Sequence, residues 1–244
     1  TADDPQFSYN GRVVSIVGDI GQNTSEKLVS LARLQGAATC HFFPKERAGA
    51  VQKSVEAHDL STNIWEFCKG GKSAYEAAQN VLKIHELPAD ITIAQLTVDT
   101  DAVRIEEFAA MTADAGVLAM SGRVMRGLDL PGITLAAIDQ SGETVGSAWG
   151  YKCYHPKSPV SEYAFWGGLS CREDRRGEKI ALVLGALSIV QLWEKLTVRG
   201  FCTGIVEGNT ASFSLCEKLG ILPSDQIGLG VTDPALFKGT TLTK

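Results

Sequence analysis

Little in this chain ties it to nucleic acid, a membrane, a metal or an oxidising compartment. Its 23 Lys and Arg are outnumbered by 28 Asp and Glu, for a formal net charge of -5 over 244 residues. No basic stripe therefore offers to neutralise a phosphate backbone, and nucleic acid is not an expected partner. The longest apolar stretch, 180–193, is about 14 residues and is interrupted by Ser188 and Gln191, short of the roughly 20 that cross a bilayer. No membrane span is expected. The N-terminal segment is acidic and polar, without the basic-then-apolar order of a secretory leader, so the expected location is cytoplasmic. The six cysteines, at 40, 68, 153, 171, 202 and 216, include no Cys-x-x-Cys pair and have no histidine at ligand spacing. That argues against zinc and against a disulfide framework, and it suits a reducing compartment. His41, His58, His85 and His155 stand alone. The sequence contains no His-Glu-x-x-His, Gly-x-Ser-x-Gly or Gly-x-x-x-x-Gly-Lys-Ser/Thr, so no metal, serine-nucleophile or P-loop chemistry is expected.

What is present is ordinary globular material. With 44% hydrophobic residues, the chain can fill one large core or two small ones. Periodicity predicts strands at 12–17, 38–43 and 63–68 alternating with helices at 24–35, 48–58 and 73–85, the first helix capped by Asn23 and stopped by Gly36. This is a small α/β unit. Leu87-Pro88-Ala89-Asp90 is the expected joint, because proline disfavours helix in the residue before it; the division is 1–88 and 89–244. Beyond it the order is strand 91–96, helix 102–120, a hairpin of 133–139 and 144–154, strand 161–171, a long helix from 177 to 199, strand 201–206, a short helix at 209–219 stopped by Gly220, and strand 227–231. A mixed, mostly antiparallel sheet flanked by helices is the predicted fold of this part. A short similarity between Gly21-Gln22-Asn23-Thr24 and Gly208-Asn209-Thr210 has too few matching positions to establish an internal repeat.

The segment 169–221 carries the chemistry. Strand 161–171 runs through Arg172-Glu-Asp-Arg-Arg-Gly-Glu-Lys179 into a helix start, where unpaired N–H groups and the positive end of the helix dipole favour an anion. Arg175, Arg176 and Lys179 add three cations, and Gly177 lets a ligand approach the backbone. A pyrophosphate suits such a place.

Read together with the next two elements, this segment resembles the GNAT superfamily of acyl-CoA N-acyltransferases. The hallmark is a strand, an Arg/Gln-x-x-Gly-x-Gly/Ala loop, a long helix, a strand, and Asn-x-x-Ala/Ser with a Tyr-x-Lys-x-Gly ending. Arg176, Gly177 and Ala181 fall in register with the loop, with Glu178, Lys179 and Ile180 between them. Asn209, Ser212, Leu215, Glu217, Lys218, Leu219 and Gly220 follow the second motif. The resemblance covers about residues 90–232. It implies that Leu169, Ser170 and Cys171 offer backbone groups to the pantetheine arm of acetyl-CoA, that the N–H groups of 176–181 hold its pyrophosphate, and that Asn209 and Ser212 flank the arm from the other side. Two positions depart from the pattern: Lys179 stands where the family usually has Gly, and Cys216 where it often has Tyr.

Acyl transfer to an amine needs a base for the amine and an acid for the departing thiolate. By analogy with the family's strand-borne bases the expected base is Glu162, with Glu173 and Asp174 as further carboxylates. The acid is Cys216, or in its place water, Tyr151, Tyr154 or Tyr163. The expected activity is transfer of an acetyl or other short acyl group from acyl-CoA to a small-molecule amine in a ternary complex. A non-catalytic acyl-CoA sensing module and a protein N-acetyltransferase are the alternatives. The oligomeric state is open, a homodimer included.

Overall fold

The computed structural model describes residues 3–236, so the ends of both expected domains lie outside the described residues. Turn chemistry sets the first elements. β1 (Phe7–Tyr9) and β2 (Val14–Val17) lead to α1 (Thr24–Gln35), which stops where Gly36 takes a left-handed conformation, one that glycine adopts without steric cost. β3 (Ala37–Pro44), α2 (Ala48–Glu56), β4 (Ser61–Gly70) and α3 (Lys72–Ile84) follow. After the connection at 85–91 come β5 (Thr92–Gln95) and α4 (Ala102–Asp114). The apolar pattern to 120 predicts a longer α4, but the helix ends before Gly116, whose positive φ turns the chain, and a separate short α5 (Gly122–Met125) forms with Ser121 as its cap. β6 (Gly132–Ile138), β7 (Thr144–Tyr151), β8 (Tyr163–Cys171), α6 (Ile180–Leu196), β9 (Gly200–Val206), α7 (Thr210–Lys218) and β10 (Leu222–Thr232) complete the chain.

All ten strands join one sheet in the order β1-β2-β3-β10-β4-β9-β8-β7-β6-β5. The mostly antiparallel mixed sheet flanked by helices is as expected, but the sheet does not divide at residue 88. β4, from the first part of the chain, lies between β9 and β10 of the second. The helix after it, α3, packs on α6, and Cys68, Ala74, Ala78 and Val81 share one core with Trp166, Leu184 and Leu192. Local periodicity carries no information on which strand pairs with which, and this is why a joint at Pro88 reads like a boundary.

The pairing also reveals a repeat that residue identities hide. β2-α1-β3-α2-β4 and β8-α6-β9-α7-β10 have the same order. β2 runs parallel to β3 as β8 does to β9; β3 pairs antiparallel with β10 as β9 does with β4, and β4 meets β10 at the centre. Each half thus hands its last strand to the other. The short similarity of 21–24 to 208–210 is not in this register, since the former precedes α1 and the latter α7.

Neighbouring residues of a strand point to opposite faces, so β8 serves two cores. Trp166 packs with α6 and α3, while Phe165 packs with Trp149, Tyr151 and Phe108 beside α4 and α5. Residues 10–13 bring the N-terminal segment to the second face. Gly11 lies against Val124 of α5, and its carbonyl accepts from the Ser121 N–H at 3.1 Å.

A fragment starting at Ala89 would lack β4 and α3, leaving β9 and β10 with bare edges and an emptied core. It should aggregate or bind a hydrophobic dye without a cooperative melt. A soluble fragment melting in one sharp transition would contradict the shared core.

Candidate functional site

The site begins where two parallel strands part. β8 and β9 are paired only at Tyr163–Gly200, Ala164–Phe201 and Phe165–Cys202, although β8 runs on to Cys171 and β9 to Val206. A bulge on the β7 side marks the parting. Trp149 is opposite Gly167 and Ser147 opposite Ser170, so Gly168 and Leu169 together face Ala148. Gly168 holds φ +61° and a Cβ there would sit inside the Trp149 ring, so this position requires glycine on both counts. The opening is a cleft of about 210 Å³ walled by Trp166 to Leu169 on one side, Thr203 to Ile205 on the other, and Ser212, Leu215 and Cys216 of α7.

The loop after β8 leads to the start of α6. The first intrahelical bond there runs from the Val183 N–H to the Lys179 carbonyl at 3.0 Å, leaving the N–H groups of Ile180, Ala181 and Leu182 without intrahelical partners. Of the four cations of this loop, Arg172 is tied to Glu143 and Asp174 at 2.7 Å each, and the three nearer the helix start differ in what holds them. Arg175 is tied to Asp90 at 2.9 Å and Glu178 at 2.8 Å and is largely covered. Arg176 is exposed, with Glu173 no nearer than 3.9 Å. Lys179 is exposed at the α6 N-cap with φ +64°, the left-handed conformation that glycine takes freely and that costs other residues about 1–2 kcal/mol. A Cβ on Gly177 would meet nothing within 4 Å. Two exposed cations, three N–H groups and open space fit a pyrophosphate.

On the far wall, Asn209 caps α7, its Oδ1 accepting from the Ser212 N–H at 3.1 Å. Cys216 is buried in the cleft wall, and burial, with Cys68 nearby, pushes its thiol up to about 12. Leu169 and Ser212 come to the same cleft; Cys171 lines a neighbouring hollow with Glu143, Arg172 and Arg176. Glu162 does not come to the cleft. It precedes β8, is exposed, and lines a separate groove with Lys152 and Arg199; nine residues of strand separate it from the loop, a span of roughly 30 Å at the strand rise. Position on a strand is legible in sequence, but which end faces the site is not.

Sequence reasoning missed Arg12. The N-terminal segment lays its guanidinium 6.0 Å from the centre of the Trp149 ring, at the junction of the cleft with a second, smaller cavity that Asn10, Thr39, His41, Trp65 and Phe67 complete. Burial lowers its pKa to about 10, still a cation at neutral pH. A lone arginine before a short strand carries no sequence signal of this kind.

The equivalent turn in the first half of the chain is already filled. Asp19 Oδ1 accepts from the Gly21 N–H at 3.0 Å and the Thr24 hydroxyl at 3.1 Å, and Asp19 also pairs with Arg47. β2 stays paired with β3 to its last residue, Val17. A carboxylate of the chain itself thus stands at the start of α1, and no parting of strands accompanies it.

No protein-family model matches this chain, and no curated protein matches it in sequence. Solved structures do match in shape. A GCN5-related N-acetyltransferase from Kribbella flavida superposes with a TM-score of 0.58 at 14% identity, over 93% of this chain and 89% of its own. A GCN5-related N-acetyltransferase-like protein from Streptococcus suis gives 0.54 at 14% identity, over 94% and 84%. A tandem GNAT protein from the clavulanic acid biosynthesis pathway gives 0.58 at 12% identity, over 91% and 75%. At such identities the likeness is one of fold.

Because Gly168 sits against Trp149 with positive φ, Gly168→Ala should cost about 2–4 kcal/mol from overpacking and backbone strain together. Thermal unfolding checks it; an unchanged melting temperature would mean the bulge is not held by that ring.

Proposed function

We propose that this chain, which has the fold of the GCN5-related N-acetyltransferases, is an acyl-CoA-dependent N-acyltransferase that transfers an acetyl or similarly short acyl group to a small-molecule amine. The observation that carries the reading is the opening of β8 from β9 directly upstream of the α6 start, where Arg176, Lys179 and three helix-start N–H groups converge. Acyl-CoA would supply the activated acyl carbon.

The chain's own groups divide the work. Arg176, Lys179 and the N–H groups of Ile180 and Ala181 hold the pyrophosphate, with Gly177 and Glu178 forming the turn. The unpaired edge of β8 through Leu169, Ser170 and Cys171 takes the pantetheine arm as a strand partner, and the capped end of α7 at Asn209 and Ser212 closes over it. Bond making then joins the amine nitrogen to the acyl carbon as the carbon–sulfur bond breaks, with the amine losing a proton and the thiolate gaining one.

Neither proton transfer falls to Glu162, which stands outside the cleft. Cys216 is a poor acid in its burial: a thiol held near 12 gives its proton uphill to a thiolate whose ordinary value is near 8.5. Cys216 therefore serves as wall, and water at the cleft mouth beside half-buried Ser212 accepts the proton from the amine and supplies one to the departing thiolate. The lack of a carboxylate lining the cleft among the described residues also favours a second reading, an acyl-CoA sensing module without turnover. Thiol release from acetyl-CoA over a panel of amines separates the two: release supports the enzyme, and tight CoA binding with no release for any amine supports the module.

Arg176→Glu should weaken CoA binding by about tenfold or more, the scale of an ionic hydrogen bond lost and reversed; unchanged affinity by calorimetry would sink the placement. Cys216→Ala should lower the melting temperature and keep kcat within about tenfold of the parent, whereas loss of a general acid costs about 10²- to 10⁴-fold. A loss in that larger range with CoA affinity intact would make Cys216 the acid.

A further inference from the structure

The cleft does not end at the sheet. Arg12, Phe165 and Gly204 line both the cleft and the smaller cavity beyond it, so the two spaces adjoin across the mouth between β8 and β9. The far cavity is built by the first half of the chain: Asn10 and Arg12 from the N-terminal segment, Thr39 and His41 from β3, Trp65 and Phe67 from β4. A group entering from that side meets the cleft at the bulge, where the acyl end of a bound pantetheine would lie.

The polar character of this cavity is one-sided. Arg12 Nε and Trp65 Nε1 are both buried and both without a hydrogen-bond partner, and buried donors are rarely left so. Among the described residues Arg12 forms no ion pair, and no carboxylate lines either space. His41 does not add a second cation. It is fully buried, its Nδ1 lies 3.1 Å from the Tyr154 hydroxyl and its Nε2 3.3 Å from Thr39 Oγ1, and burial lowers its pKa to about 4. The Asn10 Oδ1 is spent on the backbone, accepting from the N–H groups of Arg12 and Val13 at 3.3 Å each. That pair of bonds and the Trp149 ring fix where the guanidinium sits. The cavity measures about 40 Å³, room for a group of a few heavy atoms and too small for a nucleotide base or a folded peptide.

We propose that this cavity is the anchor for the acceptor and that the acceptor is an amine that also bears a carboxylate, with Arg12 and the Trp65 indole N–H binding the carboxylate so that the amine nitrogen points into the cleft. The inference rests on the acyltransferase reading for which molecule carries the amine, but the anion site itself can be tested without turnover. Arg12 is then a specificity-determining residue supplied by the half of the chain whose own helix start is closed by Asp19. An arginine fork against a carboxylate is a two-bond match that a lysine reproduces only in charge.

The test uses the full chain and the acylated products as probes. Tryptophan fluorescence is followed while adding N-acetylglycine against N-methylacetamide, N-acetylphenylalanine against N-acetylphenethylamine, and N-acetyl-O-phosphoethanolamine as a phosphate-bearing control. In at least one pair the carboxylate-bearing member should bind about tenfold or more tightly than its uncharged partner. Arg12→Gln should abolish that advantage with CoA affinity unchanged, Arg12→Lys should keep part of it, and Trp65→Phe should reduce it. If Arg12→Gln does not fold, Trp65→Phe decides: it removes the N–H together with part of the indole ring, and the ratio of affinities within each pair, which the lost packing leaves alone, is the readout. Equal binding within every pair, or an undiminished advantage in Arg12→Gln or Trp65→Phe, overturns the proposal; a preference for the phosphate control over both carboxylates overturns the substrate class. A wild type that binds the carboxylates with this dependence but releases no thiol from acetyl-CoA with glycine, phenylalanine or any other amine of the panel refutes the enzyme reading alone and leaves the anion site standing.

Discussion

The proposed function depends on β8 and β9 failing to stay paired. Parallel strands that begin in register at Tyr163 and Gly200 would ordinarily continue, because each lost pair leaves backbone groups without partners. They stop after Phe165 and Cys202 because the bulge at Gly168 and Leu169 turns β8 away, and the bulge is held by a ring that admits only glycine beside it. The unpaired edge is a cost to the free protein and an invitation to an extended ligand with amide groups of its own. The loop that follows carries this edge to a helix start, so the extended part and the anionic part of one ligand would meet neighbouring elements.

The exchanged strands explain why the first half of the chain is needed. β4 completes the sheet beyond β9, and its other face presents Trp65 and Phe67 to the far side of the cleft. Asp19 shows how the two halves differ. A carboxylate beside a helix start offsets the dipole that would otherwise attract an anion, and Asp19, held by the Gly21 N–H and the Thr24 hydroxyl, closes α1 in this way while α6 is open. One architecture, used twice, therefore yields one open site and one structural partner.

How much of this was legible in the sequence follows from how local each feature is. The stop of α1 at Gly36 and the bracket of α7 by Asn209 and Gly220 rest on residues next to the elements they end, and these agree with the structure, whereas Asn23 precedes α1 in helical backbone geometry with no side-chain capping bond. The open helix start at 177–181 was likewise visible, because charge and turn residues sit together in the chain. The strand exchange, the use of Arg175 by Asp90 across 85 residues, and the distance of Glu162 from the cleft are long-range facts with no local trace. Lys179 is an intermediate case. Its departure from glycine was evident by resemblance, and only the structure shows the left-handed backbone that gives the departure a physical meaning. Arg12 lay furthest from view, since its role arises from three segments that meet only in the folded chain.

The central claim is that one cleft, between β8 and β9, binds the acyl donor. Amide hydrogen exchange of the full chain with and without saturating CoA tests it directly. Slower exchange is predicted across 167–171 and 177–183 and at 203–216, with 18–35 unchanged because Asp19 already occupies that helix start. Protection confined to 18–35, or none in the β8 segment and the α6 start, would contradict the account.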